Sequence, residues 1–297
     1  MGRNSVAELP PAKSVLLRMQ PSHNRIQEAL PPSENESELQ SRQDPFWLPN
    51  IHADTMSHSR RLADRLALVT GATRGIGRAV ALAYAREGAH LILVGRTAGA
   101  LEEVDDEIRA IGGSATLLTL DLKSHDKIDA LGPTIYQRWN KLDVLVGNAG
   151  ILGPLSPLGH VSADAWNEVI EINLTANWRL IRTLDPLLRR SDAGRAIFVS
   201  SGAATAPRAY WGPYAASKAG LEALVRAYAE EVSNTPVRVN LLNPGPTRTA
   251  MRAKAFPGED PASLQPAGHT VDTFIKLALP SCTDNGKLFD LKTGAVR

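Results

Sequence analysis

The chain has 297 residues, 43% of them hydrophobic, and its 33 basic and 31 acidic side chains leave a formal net charge of +2. This suits one large domain, with or without a tail. The charge argues against nucleic-acid binding, and no apolar run approaches the roughly 18 residues of a membrane span. Cys282 is the single cysteine, so no intrachain disulfide can form. We expect a cytoplasmic protein that contacts neither nucleic acid nor membrane.

Residues 1–58 differ in composition from the rest of the chain. They hold seven of the 20 prolines and an acidic, polar stretch at residues 33–38. No apolar period persists there, so we predict a disordered N-terminal extension. Met56 is the natural start that this pattern suggests, and we expect residues 1–55 to add nothing to the core. The folded domain is predicted over residues 59–297.

Strand and helix patterns alternate after Leu62. The apolar runs that predict strands are residues 66–69, 91–94, 116–122, 144–146, 196–199 and 237–242. Continuous apolar strands indicate a parallel sheet that is buried on both faces. Between two of them, Leu101, Val104, Ile108 and Ile111 recur at helical spacing. The predicted fold class is therefore α/β, with a single doubly wound parallel-sheet Rossmann domain.

A glycine turn follows the first predicted strand, at residues 70–77. Gly71 permits a tight turn, Gly75 lets the backbone approach a pyrophosphate, and Gly77 lets the following helix pack closely. The helix N-terminus offers free N–H groups and positive partial charge to phosphates. Glycines alone leave an ordinary turn as an alternative, but the position after an apolar strand favours dinucleotide binding.

Four motifs together resemble those of the short-chain dehydrogenase/reductase family. They are the turn at residues 70–77, Asn148-Ala149-Gly150, Tyr214-Ala215-Ala216-Ser217-Lys218 and residues 244–249, in the family's order. The resemblance covers residues 62–251 and implies a nicotinamide cofactor. The cofactor contacts that it implies are Gly71, Thr73, Arg74, Gly75, Ile76, Gly77, Arg96, Asp121, Leu122, Asn148, Ala149, Gly150, Tyr214, Lys218, Pro244, Gly245, Thr247 and Thr249.

The chain departs from the family pattern in two places. Gly147 stands where the family usually has a second asparagine, which we expect to loosen a hydrogen bond of the sheet without abolishing the chemistry. The C-terminus, residues 286–291, is short and lacks the family's closing Asp-Gly-Gly. The seventh strand is therefore left open by the sequence.

Tyr214 and Lys218 are four residues apart and share one face of a predicted helix. The resemblance makes Tyr214 the acid–base residue and places Lys218 on the nicotinamide ribose. An ammonium about 5 Å from the phenolate, at an effective dielectric of about 20, contributes roughly 3 kcal/mol. This predicts a Tyr214 pKa lowered by on the order of two units. The spacing by itself is equally that of an ordinary amphipathic helix.

The resemblance supplies the remaining catalytic candidates. Ser201, 13 residues before Tyr214, matches the family's catalytic serine, and its hydroxyl would stabilise developing charge on the substrate oxygen. Ser200 is the competing assignment. Asn173 matches the residue that positions a water between the lysine and solvent, with Asn177 as the alternative.

Two further residues bear on the cofactor by resemblance and by charge. Asp121 matches the family's adenine contact, with a solvated turn carboxylate as the alternative. The second strand ends at Gly95 and is followed by Arg96 rather than by the acid of an NAD-selective site. Arg96, with Arg74 from the glycine turn, can hold a 2′-phosphate. We therefore predict NADP(H), unless both arginines are merely solvated.

These observations predict an NADP(H)-dependent oxidoreductase that transfers hydride between nicotinamide and a small carbonyl or alcohol substrate. A 3-oxoacyl-thioester reductase of lipid synthesis and a non-catalytic NADP-binding sensor are the alternatives. No zinc-binding motif is present, so we expect no metal. The resemblance places the substrate among loops 151–157, 202–213 and 251–266. There Leu152, Trp211 and Met251 suggest an apolar pocket, with ordinary packing as the alternative for each.

The family pairs two helices across a two-fold axis, which here correspond to residues 163–189 and 212–232. Leu221, Leu224 and Val225 are expected to give the second helix an apolar outer surface. We therefore predict a homodimer or homotetramer.

Overall fold

The computed structural model describes residues 60–297. The predicted disordered extension and its boundary with the domain lie outside these residues and stay predictions. Among the described helices, none has the length and apolar character needed to cross a bilayer.

The described chain contains one large sheet and one short strand pair. The strands are β1 (Leu66–Thr70), β2 (His90–Gly95), β3 (Ser114–Thr119), β4 (Val144–Gly147), β5 (Arg195–Val199), β6 (Arg238–Asn243), β7 (Thr247–Arg248), β8 (Gln265–Pro266), β9 (Leu288–Asp290) and β10 (Ala295–Val296). The large sheet has the order β10-β9-β6-β5-β4-β1-β2-β3, and β7 pairs with β8 separately. Its strand pairs are parallel except β9 with β10.

Helices connect these strands. They are α1 (Gly75–Arg86), α2 (Ala98–Ala110), α3 (His125–Asp129), α4 (Leu131–Trp139), α5 (Ala163–Ile170), α6 (Ala176–Leu188), α7 (Gly212–Glu231), α8 (Ala250–Ala255) and α9 (Val271–Ala278). Every residue of β1, β4 and β5 is buried, as continuous apolar runs between two helical layers require. The predicted doubly wound Rossmann fold is confirmed.

The strand order reverses between β1 and β4. Loops at the carboxyl ends of these two neighbours open a crevice, which is where open α/β sheets bind ligands. The glycine turn follows β1 and Asn148-Ala149-Gly150 follows β4. The fold therefore brings these two motifs together at the crevice.

The short C-terminal segment adds a strand to the sheet, and the sequence alone had not established that strand. β9 pairs in parallel with β6, joining Leu241 to Leu288 and Asn243 to Asp290. Asn285 Oδ1 accepts a hydrogen bond from the Val239 amide at 2.8 Å. A seventh parallel strand thus forms without the family's closing motif.

Two predicted elements differ from those observed. The third strand was predicted over residues 116–122, but β3 ends at Thr119 because Asp121 starts a turn in which its carboxylate accepts the Lys123 amide at 3.0 Å. The long helix predicted over residues 163–189 is divided by a π-helical turn, Glu171–Thr175, between α5 and α6. Such turns often occur at functional sites, and this one contains Asn173.

Candidate active site

The glycine turn has the backbone that a phosphate-binding loop needs. Gly71 and Gly75 have φ values of +65° and +55°, in the left-handed region that favours glycine. A Cβ on Gly77 would lie 2.2 Å from the Gly71 carbonyl oxygen, so a side chain there would push α1 away from β1. The first turn of α1 carries no acidic residue, which leaves its N-terminal partial charge available to an anion.

Thr70 and Asn148 fix this turn to the next strand. The Thr70 hydroxyl donates to Val146 O at 3.2 Å and accepts from the amides of Asn148 and Ala149 at 3.0 and 3.1 Å. Asn148 Nδ2 donates to the carbonyls of Thr70 at 2.9 Å and Gly71 at 3.3 Å. Sequence reasoning did not assign Thr70 a role, although a polar residue ending an apolar strand was a usable signal.

Arg74 and Arg96 border the turn. Both are exposed, and within the described part of the chain neither side chain has a hydrogen bond or an ion pair to another residue. A Cβ on Gly95 would lie 2.9 Å from Thr73 Cγ2, so the glycine turn packs directly over the end of β2. Arg74 and Arg96 therefore belong to adjoining segments at this crevice, and a guanidinium is a group that binds phosphate esters well.

Other residues that the resemblance assigns to the cofactor lie in the segments that follow β3 and β6. Asp121 is half-buried and uses one carboxylate oxygen in its own turn, and Leu122 is buried beside it. Gly245 has φ +68°, and its amide donates to Asn243 Oδ1 at 3.1 Å. Thr249 caps α8 and lies 3.4 Å from the position of a Gly75 Cβ. The loop after β6 thus reaches the glycine turn.

The Tyr214 and Lys218 side chains are both buried on α7, with exposures of 7% and 4%. Lys218 Nζ lies 5.9 Å from the centre of the Tyr214 ring and donates to Val199 O at 2.8 Å. Val199 is the last residue of β5. The predicted pair therefore shares a helix face that packs on the carboxyl end of the sheet.

The pKa of Tyr214 is shifted in the direction opposite to the one predicted from the sequence. Burial raises the pKa of Tyr214 above its ordinary value, and a side-chain hydrogen bond with Ser201 opposes that rise. Burial lowers the pKa of Lys218 to about 8. The expected lowering of the Tyr214 pKa was wrong, because desolvation of the buried phenol outweighs the hydrogen bond with Ser201.

The two serines after β5 face different partners. Ser200 is buried and its hydroxyl donates to Glu222 Oε1 at 2.6 Å. Ser201 Oγ accepts from the Ala203 amide at 3.2 Å and makes the hydrogen bond with Tyr214. The Ser201 side chain therefore acts on Tyr214, whereas the Ser200 hydroxyl is bonded to Glu222, and the catalytic role of Ser201 stays a prediction.

Asn173 connects the loop after β4 to α7. Its side chain accepts from Ile151 N at 2.8 Å and donates to Ile151 O at 2.9 Å and to Ser217 Oγ at 3.0 Å. Asn177 Nδ2 in turn donates to the Asn173 carbonyl at 2.9 Å. Asn173 thus faces the site and Asn177 supports it, while the contribution of Ser217 was missed.

Side chains from neighbouring elements occupy the space beside Gly147. A Cβ there would lie 2.4 Å from Phe198 Cδ1 and 2.6 Å from Asn177 Oδ1. A buried amide side chain from α6 thus lies against β4 at this position, and its hydrogen bond goes to the Asn173 carbonyl. The expected loosening of the sheet stays a prediction.

Aromatic rings line the approach to Tyr214. The Trp211 ring meets the Tyr214 ring edge-on at 5.8 Å, and Phe256 lies 5.6 Å beyond Trp211. Leu152 is buried, while Met251 is half-buried. Sequence reasoning missed Phe256, which belongs to a loop 45 residues along the chain from Trp211 and meets it only through folding.

Comparison with known proteins agrees with this geometry. The family model described as short chain dehydrogenase matches residues 65–260. The oxidoreductase YciK of Escherichia coli K12 is 39% identical, over 78% of this chain and 94% of that protein. A Shigella flexneri 2a short chain dehydrogenase solved with NADP is 39% identical with a TM-score of 0.76, covering 79% of this chain and 99% of the other.

A second solved structure is equally similar. It is a short chain dehydrogenase from Escherichia coli CFT073 complexed with NADPH, 39% identical with a TM-score of 0.75, and the alignment covers 78% of this chain and 98% of the other. Sequence, fold and motif order therefore agree over the whole catalytic region. The chain belongs to the short chain dehydrogenase family of oxidoreductases.

Proposed function

We propose that this protein is an NADP(H)-dependent oxidoreductase acting on a small carbonyl or alcohol substrate. The observation that carries the proposal is the convergence of Asn173, Ser201, Tyr214 and Lys218 at the carboxyl end of the sheet, beside a glycine turn suited to a dinucleotide. A sensor that had lost catalysis would not need this buried polar set.

Tyr214, Ser201 and Lys218 each have a separate role in the proposed reaction. Bound NADP(H) would supply or accept the hydride. Tyr214 donates its phenolic proton to the carbonyl oxygen during reduction and takes a proton from the alcohol during oxidation. The Ser201 hydroxyl stabilises charge on the same oxygen. Lys218, held by Val199 O, orients the ribose and keeps positive charge near the phenol.

An activity assay tests this function directly. NADPH oxidation is followed at 340 nm with a panel of ketones and aldehydes, and we expect turnover that Tyr214→Phe lowers by about 10²-fold or more. Cofactor affinity is measured separately by nicotinamide fluorescence. Tight NADPH binding without turnover of any carbonyl would favour the sensor.

We propose that selectivity for NADP(H) rests on Arg74 in the glycine turn and on Arg96 directly after β2. The two relatives solved with NADP or NADPH support this choice. Each charge-assisted contact contributes about 1.5–3 kcal/mol, so two give a preference of on the order of 10²- to 10⁴-fold. We expect Arg96→Ala to lower kcat/KM for NADPH while leaving that for NADH nearly unchanged. Equal use of both cofactors by the wild type would refute the assignment.

The substrate is proposed to present an apolar surface next to its carbonyl. Trp211 and Phe256 form an aromatic wall beside Tyr214, and aromatic faces bind apolar groups well. The alternative, a 3-oxoacyl thioester, is compatible with the same motifs and with the 34% identical 3-oxoacyl-[acyl-carrier-protein] reductase of Synechocystis. Including an acetoacetyl thioester in the carbonyl panel separates these two substrate classes.

We further propose that the protein is cytoplasmic and forms a homo-oligomer.

A further inference from the structure

Three consecutive residues at the end of β5 meet three residues of α7. Val199 O accepts from Lys218 Nζ at 2.8 Å, Ser200 Oγ donates to Glu222 Oε1 at 2.6 Å, and the Ser201 side chain hydrogen-bonds to Tyr214. On α7 the partners are spaced four residues apart, at positions 214, 218 and 222. They therefore lie along one face of the helix.

Glu222 is the member of this set that the proposed chemistry does not use. It is a carboxylate with 3% exposure. Its second oxygen lies 3.1 Å from Nη2 of Arg226, a side chain that is half exposed. Burying a carboxylate is costly unless it is hydrogen-bonded, so the contact between Ser200 and Glu222 is a strong local constraint on the turn after β5.

We propose that Glu222 is a positioning residue for the active site. Through Ser200 it fixes the turn after β5, and this turn places the Ser201 hydroxyl on Tyr214 and the Val199 carbonyl on Lys218. The inference rests on the proposed reductase function. Glu222 itself touches neither of these two groups in the described contacts.

The same chain provides a matched control at the opposite end of the sheet. Ser191 Oγ donates to Asp143 Oδ1 at 2.5 Å, and both residues are buried. This pair precedes β4 and β5, at the end of the sheet away from Tyr214. Ser191→Ala thus removes a buried serine–carboxylate bond without disturbing the catalytic face.

The test compares Ser200→Ala, Glu222→Leu, Glu222→Gln and Ser191→Ala in the full-length protein, using NADPH and the best carbonyl of the panel. We expect Ser200→Ala and Glu222→Leu to lower kcat about tenfold, which is about 1.4 kcal/mol in the activation free energy. The NADPH affinity from fluorescence should change much less than kcat, because the glycine turn and the Lys218 ammonium are both retained. Glu222→Gln keeps an acceptor for Ser200 and should retain most of kcat.

A pH profile separates positioning from loss of stability. The hydrogen bond with Ser201 lowers the pKa of Tyr214, and Lys218 is the charged group beside it. Weakening that bond raises the Tyr214 pKa, so the acidic limb of alcohol oxidation should move to higher pH in Ser200→Ala. Ser191→Ala should lower the melting temperature about as much as Ser200→Ala does. It should leave kcat and the pH of the acidic limb unchanged.

The double variant Ser200→Ala with Glu222→Leu should lose no more activity than either single variant, because both remove one hydrogen bond. If Ser200→Ala behaves like Ser191→Ala in kcat and pH profile, the inference is wrong while the proposed function stands. If the wild type turns over no carbonyl at all, the proposed function itself fails.

Discussion

Tyr214 is held between Trp211 on one side and Ser201 on the other, with its hydroxyl group the proposed proton donor. Tyr214→Phe keeps the ring and its edge contact but removes that proton. We expect kcat to fall by about 10²-fold or more with little change in NADPH affinity. Steady-state kinetics at 340 nm measure kcat, and a fluorescence titration measures the NADPH affinity. Near-normal turnover in the variant would contradict the acid–base assignment.

Lys218 provides a pH dependence with a definite sign. Burial lowers its pKa to about 8, so in the free protein the ammonium is present below pH 8 and lost as the pH rises through that value. NADPH affinity should therefore fall between pH 7 and pH 9.5, because a charged contact to the ribose disappears. Fluorescence titrations over this range measure it.

A Lys218→Met variant is the control for this dependence. It carries no titrating group at that position, so its weaker NADPH affinity should change little across the same pH range. An affinity of the wild type that is constant, or that increases with pH, would show that Lys218 does not contact the cofactor.

At the level of elements, Arg195 joins the start of β5 to the C-terminal segment. Its guanidinium donates to four carbonyls, those of Leu279, Gly194, Pro236 and Pro280, at 2.6–3.0 Å. Burial lowers its pKa to about 10. The side chain therefore connects the start of β5 to the segment directly after α9, at Leu279 and Pro280.

We expect Arg195→Met to lower the free energy of unfolding by about 2–4 kcal/mol, since four hydrogen bonds from a charged, mostly buried donor are lost. The side chain of its neighbour across the sheet, Arg238, donates within the described residues to the nearby Thr235 and Val237 carbonyls, so Arg238→Met should cost less. Urea unfolding of both variants gives the comparison. Equal losses would show that the C-terminal connection contributes nothing beyond local contacts.

The predicted apolar surface of α7 was partly wrong. Leu221 and Val225 have 0% exposure and pack inside the domain, whereas Leu224 is only half-buried. Every fourth residue of a helix faces roughly the same way, so a pattern of leucines and valines does not distinguish the inward stripe from the outward one. Folding against β5 and β6 decided which face is buried.

At the level of the whole molecule, α6 and α7 together present a groove to the surface. It is lined by Trp178, Ile181, Arg182, Asp185, Pro186, Leu224, Ala227, Tyr228 and Glu231. Trp178 is 42% exposed there. A second copy of the chain, related by a two-fold axis, would cover this apolar patch with its own equivalent.

We expect a dimer or tetramer in solution, and we expect Trp178→Glu with Leu224→Glu to shift it toward monomer, because charges in an apolar interface are costly. Light scattering at micromolar concentration measures the mass. Ile111→Glu, at an exposed apolar residue outside the groove, should leave the assembly intact. A monomeric wild type would contradict the proposal.

The sequence by itself determined the fold class, the glycine turn and the pairing of Tyr214 with Lys218. Each depends on local rules: apolar runs for buried parallel strands, glycines where a side chain cannot fit, and four-residue spacing on a helix. The strand and helix bounds were predicted to within a few residues, except where Asp121 starts a turn or the chain forms the π-helical turn around Asn173.

Only the tertiary structure decided how the site is supported. The Ser200–Glu222 pair, the filling of Gly147 by Asn177 and the contact of Phe256 with Trp211 join residues 22–45 positions apart. No local spacing specifies such partners, because they form when separate elements pack around the same buried polar groups. Burial likewise set the pKa direction of Tyr214, since desolvation depends on everything that surrounds the phenol and not on Lys218 alone.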